Sequence, residues 1–351
     1  MKKIALILTI SLLTGMVFGC GSSETSDPAA KTAAPAAGNA ASAGDSSESA
    51  KIKIGVVNQT LKEAVYRDMR DGALEKAKEL GVMVEWQSCD LDAQKQVDIV
   101  NNYITRGFDV IVCEPVSPDA SYAVADICGE AGIPLVDLEA VILTDNDAYK
   151  PKVHITGDFR AIGRGQIEEF LKDFGNGPAN MVILCGTLGD SVAQDLNDGY
   201  QDILKDNSQI NVIQQEWHPN WDRQLAMNTV QNVLARGEKV DVIIANNDGM
   251  GVGAVRAAEE VGLQKDILFY AMDHDQDAVV EILAGAKYKT VDKTSHLQGA
   301  RCVEAAVTIA RGEEVPYDEI IDGIPTWYTP FSFVSADALD IAKEKFPELF
   351  Q

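Results

Sequence analysis

Lys239-Val240-Asp241-Val242-Ile243-Ile244-Ala245-Asn246-Asn247-Asp248-Gly249-Met250 decides how this chain folds. The β-branched run from Val240 to Ile244 predicts a strand buried on both faces. It stops at a polar cluster, Asn246, Asn247 and Asp248. The Ala/Val spacing that follows, to Gly262, then predicts a helix. In open α/β sheets ligands sit beyond the carboxyl ends of the strands, so Asn247 and Asp248 are the first functional candidates.

The same alternation extends in both directions. Upstream, strands are expected at Ile52 to Val57, Val82 to Trp86, Phe108 to Cys113 and Leu135 to Leu138. Helices separate them: a stripe of Val65, Met69, Ala73, Ala77 and Leu80 closed by Gly81, a segment from Asp92 to Arg106 stopped by Gly107, and a third ending at Ala131. After Lys150 to Lys152 the pattern restarts, with strands at Val153 to Thr156, Asn180 to Cys185, Ile210 to Glu216, Val240 to Ala245, Ile267 to Met272 and Tyr288 to Val291, then a helix from Leu297 to Arg311. Single-helix crossovers with short loops specify an α/β fold of doubly wound parallel sheets. Two sets of similar length imply two lobes and a cleft. Ile320 to Pro330 breaks the alternation as a return between lobes, and Ala336 to Phe346 reads as a closing amphipathic helix.

With 351 residues and 46% apolar content the chain can bury a large core, and its net charge of −24 makes nucleic acid and anionic lipid improbable partners. Lys2 and Lys3 precede an apolar run from Ile4 to Phe18, shorter than the roughly 20 residues of a membrane span, which reads as an export signal. Its end, Val17-Phe18-Gly19-Cys20, resembles a bacterial lipobox, implying lipidation of Cys20 and a signal peptide over residues 1–20. Residues 21–50 contain no aromatic and no Val, Ile or Leu, the composition of a flexible tether. Cys89, Cys113, Cys128, Cys185 and Cys302 are odd in number and lack a Cys-x-x-Cys, so buried free thiols are expected.

Few motifs suggest chemistry. Gly249-Met250-Gly251-Val252-Gly253-Ala254 matches a dinucleotide fingerprint formally, but it lies deep in the chain and Asp248 would crowd a pyrophosphate; small residues packing a helix on a sheet explain it better. There is no G-x-S-x-G and no H-E-x-x-H. Asp273-His274-Asp275-Gln276-Asp277 imitates a calcium loop, yet Ala278 and Ala284 replace its glycine and bidentate acid. No cofactor, metal or catalytic residue is therefore expected.

What remains is a ring of groups just past the strands: Asn58 and Gln59, Glu114, Glu139, Asp190 with Ser191, His218 and Trp221, Asn247, Asp273 and Lys293. Carboxylates and amides suit vicinal hydroxyls, and Trp221 and Tyr66 can stack on the C–H faces of a pyranose. The joint arrangement favours polyol recognition.

Asp71-Gly72-Ala73, Ala131-Gly132-Ile133-Pro134, Trp221-Asp222-Arg223, Ala245-Asn246-Asn247-Asp248 and Met272-Asp273 occur in the order seen in type I periplasmic sugar-binding proteins. From Lys51 to Pro330 the chain resembles a ribose/galactose-type solute-binding lipoprotein of an ABC importer. The resemblance implies Tyr66 and Trp221 at stacking sites, and Asn247 and Asp273 as hydroxyl-binding groups. It places Glu139 where an aspartate is usual, followed by Ala140 instead of an arginine. Gln194 stands at a usual arginine, Lys293 at a usual amide and Val65 at an aromatic. These departures suit a modified sugar or another polar solute.

The resemblance further implies three hinge strands near Thr156 to Asp158, Asp292 to Thr294 and Asp322 to Pro325. The lobes would be residues 51–157 with 294–324, and 158–293 with 325–351. A monomer would capture a monosaccharide or similar polyol and deliver it to an ABC importer permease. It would be lipid-anchored outside the cytoplasm, at the outer face of the cell membrane or in the periplasm, without being an enzyme. The alternative is a receptor for a sugar or furanone autoinducer that presents its closed form to a sensor kinase or chemoreceptor.

Overall fold

A computed structural model describes residues 51–351; the export signal, the tether and Cys20 lie outside the described residues. The chain opens with β1 (Lys53–Asn58), α1 (Ala64–Leu80), β2 (Met83–Ser88), α2 (Ala93–Thr105), β3 (Val110–Cys113), α3 (Pro118–Ala131), β4 (Leu135–Leu138) and β5 (Val153–Gly157). It continues through α4 (Phe159–Phe174), β6 (Ala179–Cys185), α5 (Ser191–Leu204), β7 (Ile210–Trp217), α6 (Arg223–Ala235), β8 (Val242–Ala245) and α7 (Asp248–Glu259). Then come β9 (Leu268–Tyr270), α8 (Gln276–Leu283), β10 (Lys287–Asp292), α9 (Ser295–Ala310), β11 (Glu319–Ile321), β12 (Ile324–Thr329), β13 (Ser332–Val334) and α10 (Asp340–Lys345).

These strands form two sheets, ordered β11-β12-β5-β4-β3-β1-β2 and β13-β10-β9-β8-β6-β7. Only the β11/β12 and β10/β13 pairs are antiparallel. The cores of both sheets repeat one winding: the first strand of each set lies between the second and the third, so chain direction across the sheet reverses at β1/β3 and again at β6/β8. Such a reversal opens a crevice at the carboxyl ends of the strands.

The middle of each sheet is covered on both faces, which is why inner strands such as β3, β6 and β8 read as continuous apolar runs. Val56, Val110 and Val136 pack under α1 and α9, while Val57, Ile111 and Leu135 pack under α2 and α3. Leu184 and Ile243 face α6 and α7, while Met181 and Ile183 face α4 and α5. Helix ends follow local chemistry. The side chains of Asp92, Ser117, Asp158, Asp190, Asp222 and Asn247 accept backbone N–H groups at the starts of their helices, and Gly81 and Gly132 take left-handed conformations at the ends.

The pseudo-fingerprint glycines serve packing. A Cβ on Gly251 would lie 2.2 Å from the Tyr288 hydroxyl, and one on Gly253 2.6 Å from the Arg223 carbonyl. All five cysteines among the described residues are free and buried. No described helix is long and apolar enough to cross a membrane.

The chain passes between the sheets three times: after β5, after β10 and between β12 and β13. The third passage was expected at Asp322 to Pro325, but Ile324–Thr329 pairs in parallel with β5, so it falls at Pro330 and Phe331. Pro and Gly around residue 323 mark the β11/β12 hairpin instead. Hydrogen bonds tie the passages together. Thr294 Oγ1 donates to the Pro330 carbonyl at 2.8 Å, and Thr329 Oγ1 to the Lys293 carbonyl at 3.1 Å.

Candidate functional site

Between the two sets of strand ends lies a cleft with about 500 Å³ of empty volume, part of it open to solvent. From the first sheet come Gln59 and Thr60 after β1, Glu63 and Tyr66 at the start of α1, Leu91 after β2, Glu114 after β3 and Glu139 after β4. The second sheet supplies Asp190 and Val192 after β6, Asn220 and Trp221 after β7, Asn247 after β8, Met272 and Asp273 after β9 and Lys293 after β10. The wall groups lie in the segments that follow the strands or in the first turn of the next helix, because the reversal of winding leaves that end uncovered.

Tyr66, Glu139, Trp221, Asn247, Asp273 and Lys293 thus share one cavity, as do Gln59, Glu114 and Asp190. Gln194 does not join them. Asp190 caps α5 and Val192 faces the cavity, but two residues on the helix has turned about 200°. Gln194 is therefore exposed, and its amide donates to Asp198 at 2.8 Å. Asn58 and His218 belong to the scaffold. Asn58 accepts from the Trp86 indole at 2.9 Å, and the His218 ring nitrogens lie 3.0 Å from the Cys185 carbonyl and from Thr229 Oγ1.

Asp248 also turns away. Its buried carboxylate accepts from Tyr288 at 2.9 Å, Thr290 at 2.7 Å and the Asp275 N–H at 2.8 Å, bracing the loop that carries Asp273. Sequence reasoning missed Glu63 and Asn220. Glu63 stands one residue before a helix, where an acid reads as a cap, yet it makes no capping bond. Asn220 sits in a left-handed turn at φ 57° that its residue type permits but does not announce.

Nine non-glycine residues of the described chain have positive φ, and Leu91, Glu139, Asn220, Trp221 and Asp273 of the cavity wall are among them. Each costs about 1–3 kcal/mol and persists only where its surroundings over-determine it. At Glu139 the constraint is visible: its carbonyl contacts His154 Nε2 and accepts from Thr156 Oγ1, each at 3.0 Å. Asn247 Oδ1 accepts the Met250 N–H at 2.9 Å, which leaves its NH₂ to face the cleft. Trp221 lies against Gly186, where a Cβ would come within 2.5 Å of the indole.

Charge concentrates at the floor. Lys293, 4% exposed, pairs with Glu139 and lies 3.3 Å from Asp273 Oδ1. Gln298 also donates to Glu139. Burial works to lower the Lys293 ammonium, but the Glu139 and Asp273 charges outweigh it and hold it above its ordinary value. Burial lifts the Asp273 carboxyl to about 8, with Lys293 working against it. Burial raises Asp190 to about 6 against two backbone N–H bonds, and pushes Glu114 well above the usual carboxylate range, with Glu139 adding to it.

A carboxyl whose folded-state value exceeds its unfolded one of about 4 contributes stability below pH 4 that is lost as pH rises toward the folded value. Asp273→Asn is therefore expected to flatten the fall in stability between about pH 4 and 8. Urea midpoints at pH 5 and 8.5 measure it; an unchanged slope would refute the assignment.

The cavity thus joins amide and carboxyl groups of both sheets beside one tryptophan wall. The profile of the periplasmic binding protein domain matches residues 54–314. The chain belongs to that family. Among its relatives, a putative rhizopine-binding protein of Rhizobium meliloti is 28% identical over 70% of this chain and 81% of its own. A D-xylose-binding periplasmic protein of Escherichia coli is 27% identical over 79% and 83%. An ABC transporter solute binding protein from Bacillus halodurans C-125, solved with bound myo-inositol, superposes with a TM-score of 0.75 at 25% identity, covering 86% of this chain and all of that one. The periplasmic binding fold is thus the architecture expected from the sequence, with parallel-dominated sheets and a crevice at their carboxyl ends.

Proposed function

We propose that this periplasmic binding protein captures a monosaccharide or similar polyol between its two halves and delivers it to an ABC-type importer. The cavity carries the reading: amide, carboxylate and indole groups from both sheets converge on one cleft, and no nucleophile–base pair accompanies them. Relatives described as binding xylose or solved with myo-inositol support it.

A ligand that touches both walls favours the closed arrangement by its differential affinity, and the hydrogen-bonded passages are the hinge about which it forms. The bodies that close are residues 51–157 with 294–329, and 158–293 with 330–351. The protein acts as a monomer anchored through lipidated Cys20 outside the cytoplasm, and carries out no covalent chemistry.

Calorimetry with aldopentoses, aldohexoses, inositols and their amino derivatives should find a micromolar or tighter ligand. Silence across that panel would sink the assignment. With the ligand found, Trp221→Ala should weaken binding at least about tenfold, or 1.4 kcal/mol, through loss of the stacking wall. A variant of the importer's permease that abolishes uptake of the same ligand would distinguish transport from presentation to a sensor kinase.

A further inference from the structure

Five carboxyl groups line the cavity, those of Glu63, Glu114, Glu139, Asp190 and Asp273, against a single ammonium, Lys293. Lys293 is already committed to Glu139 and Asp273. Asp190 is committed to α5, accepting the Val192 and Ala193 N–H groups at 2.9 and 3.3 Å. Glu63 and Glu114 have no cationic partner in the cavity wall. Glu114 is fully buried; one oxygen accepts the Gln59 N–H at 3.3 Å and the Tyr66 hydroxyl neighbours the carboxyl, while Oε1 makes no hydrogen bond of normal geometry. Asp273 Oδ1, though 3.3 Å from Lys293, likewise makes no hydrogen bond.

Arginines do not make up the difference. Arg67 and Arg223 stand at the mouth, the first donating to the carbonyls of Leu61 and Lys62, the second paired with Asp277 at 2.9 Å. A neutral ring can donate to the free carboxyl oxygens, but it brings no charge that would let the buried Glu114 carboxyl ionise. An ammonium brings three donors and the missing charge together. A carboxylate on the ligand would meet five acids and a single cation, Lys293, whose charge is spent.

We infer that the solute carries a protonated amine among its hydroxyls, as an amino sugar or aminocyclitol does, and that the buried Glu114 carboxylate receives it. The inference rests on the polyol reading above and narrows it. Because burial and Glu139 keep the empty-site Glu114 carboxyl reluctant to ionise, binding a cation should release a proton from the site near neutral pH.

The test is calorimetry at pH 7 on the purified protein with matched sets: D-glucosamine, D-galactosamine and an amino-deoxy-inositol, each beside its neutral parent and its N-acetyl derivative, with D-galacturonate as the acidic member. One amine should bind at least about tenfold tighter than both uncharged counterparts. Its apparent enthalpy should vary with buffer ionisation in the sense of proton release, and Glu114→Gln should shrink the preference to threefold or less. Should that variant not fold, the proton count on the unaltered protein decides. Neutral or N-acetyl forms binding as tightly as the amine, or galacturonate binding best, would overturn the inference and leave the polyol reading standing. Absence of binding throughout would end both.

Discussion

Replacing Lys293 with methionine should cost about 3–5 kcal/mol of folding stability at pH 8, and much less at pH 5. The lysine is almost wholly buried between Glu139 and Asp273, both also buried, and a methionine of similar length fills its space without its charge. Two carboxylates would then lie close together with no counter-ion. Asp273, lifted by burial and no longer opposed by Lys293, would hold its proton in the folded state at pH values where the unfolded chain does not. Folding would therefore be penalised as pH rises above about 4, and acid would relieve the penalty. Urea denaturation at the two pH values measures it, and an equal loss at both would mean that the lysine acts through packing rather than charge.

Gly299→Ala should cost about 3 kcal/mol or more by urea denaturation, for a steric reason remote from charge. Helices α1 and α9 cross so closely that a Cβ at Gly299 would sit 1.7 Å from the Met69 carbonyl oxygen, and one at Gly72 1.9 Å from that of His296. Both obstacles are backbone, so no rotamer change relieves them and the helices must separate. Gly177→Ala, whose Cβ would meet only Phe174 at 4.0 Å, is the control and should stay within about 0.5 kcal/mol of the parent. A small effect at Gly299 would show that the crossing tolerates a wider spacing.

That crossing explains one motif that sequence reading could only match by resemblance. Asp71-Gly72-Ala73 contains the residue at which α9 approaches, and Asp198-Gly199-Tyr200 repeats the device where a Cβ on Gly199 would meet the Arg160 carbonyl at 2.3 Å. The strands and most helices were legible because both faces are covered in the middle of each sheet, which writes unbroken apolar runs at Val110 to Cys113 and Val242 to Ala245. The cavity was legible wherever a polar residue ended such a run, as at Glu139, Asn247, Asp273 and Lys293.

Where position depends on which helix face meets the cavity or on pairing with a distant strand, spacing alone does not decide it. Gln194 faces solvent because of its angle on α5, and Ile324–Thr329 joins the first sheet because β5 offers it an edge. Nor does spacing reveal which charges are spent. The commitment of Lys293 to two acids from different strand ends emerges only in three dimensions.

Gln59, Glu114, Glu139, Asn247, Asp273 and Lys293 each stand on a separate connection, one to three residues past a strand whose interior they do not share. Exchanging one such residue alters a single contact with the guest and leaves the sheets' apolar layers intact. Descendants of this scaffold can therefore change diet one loop at a time, without passing through an unfolded intermediate in their ancestry. The floor trio is the exception, since its three charges must change in concert.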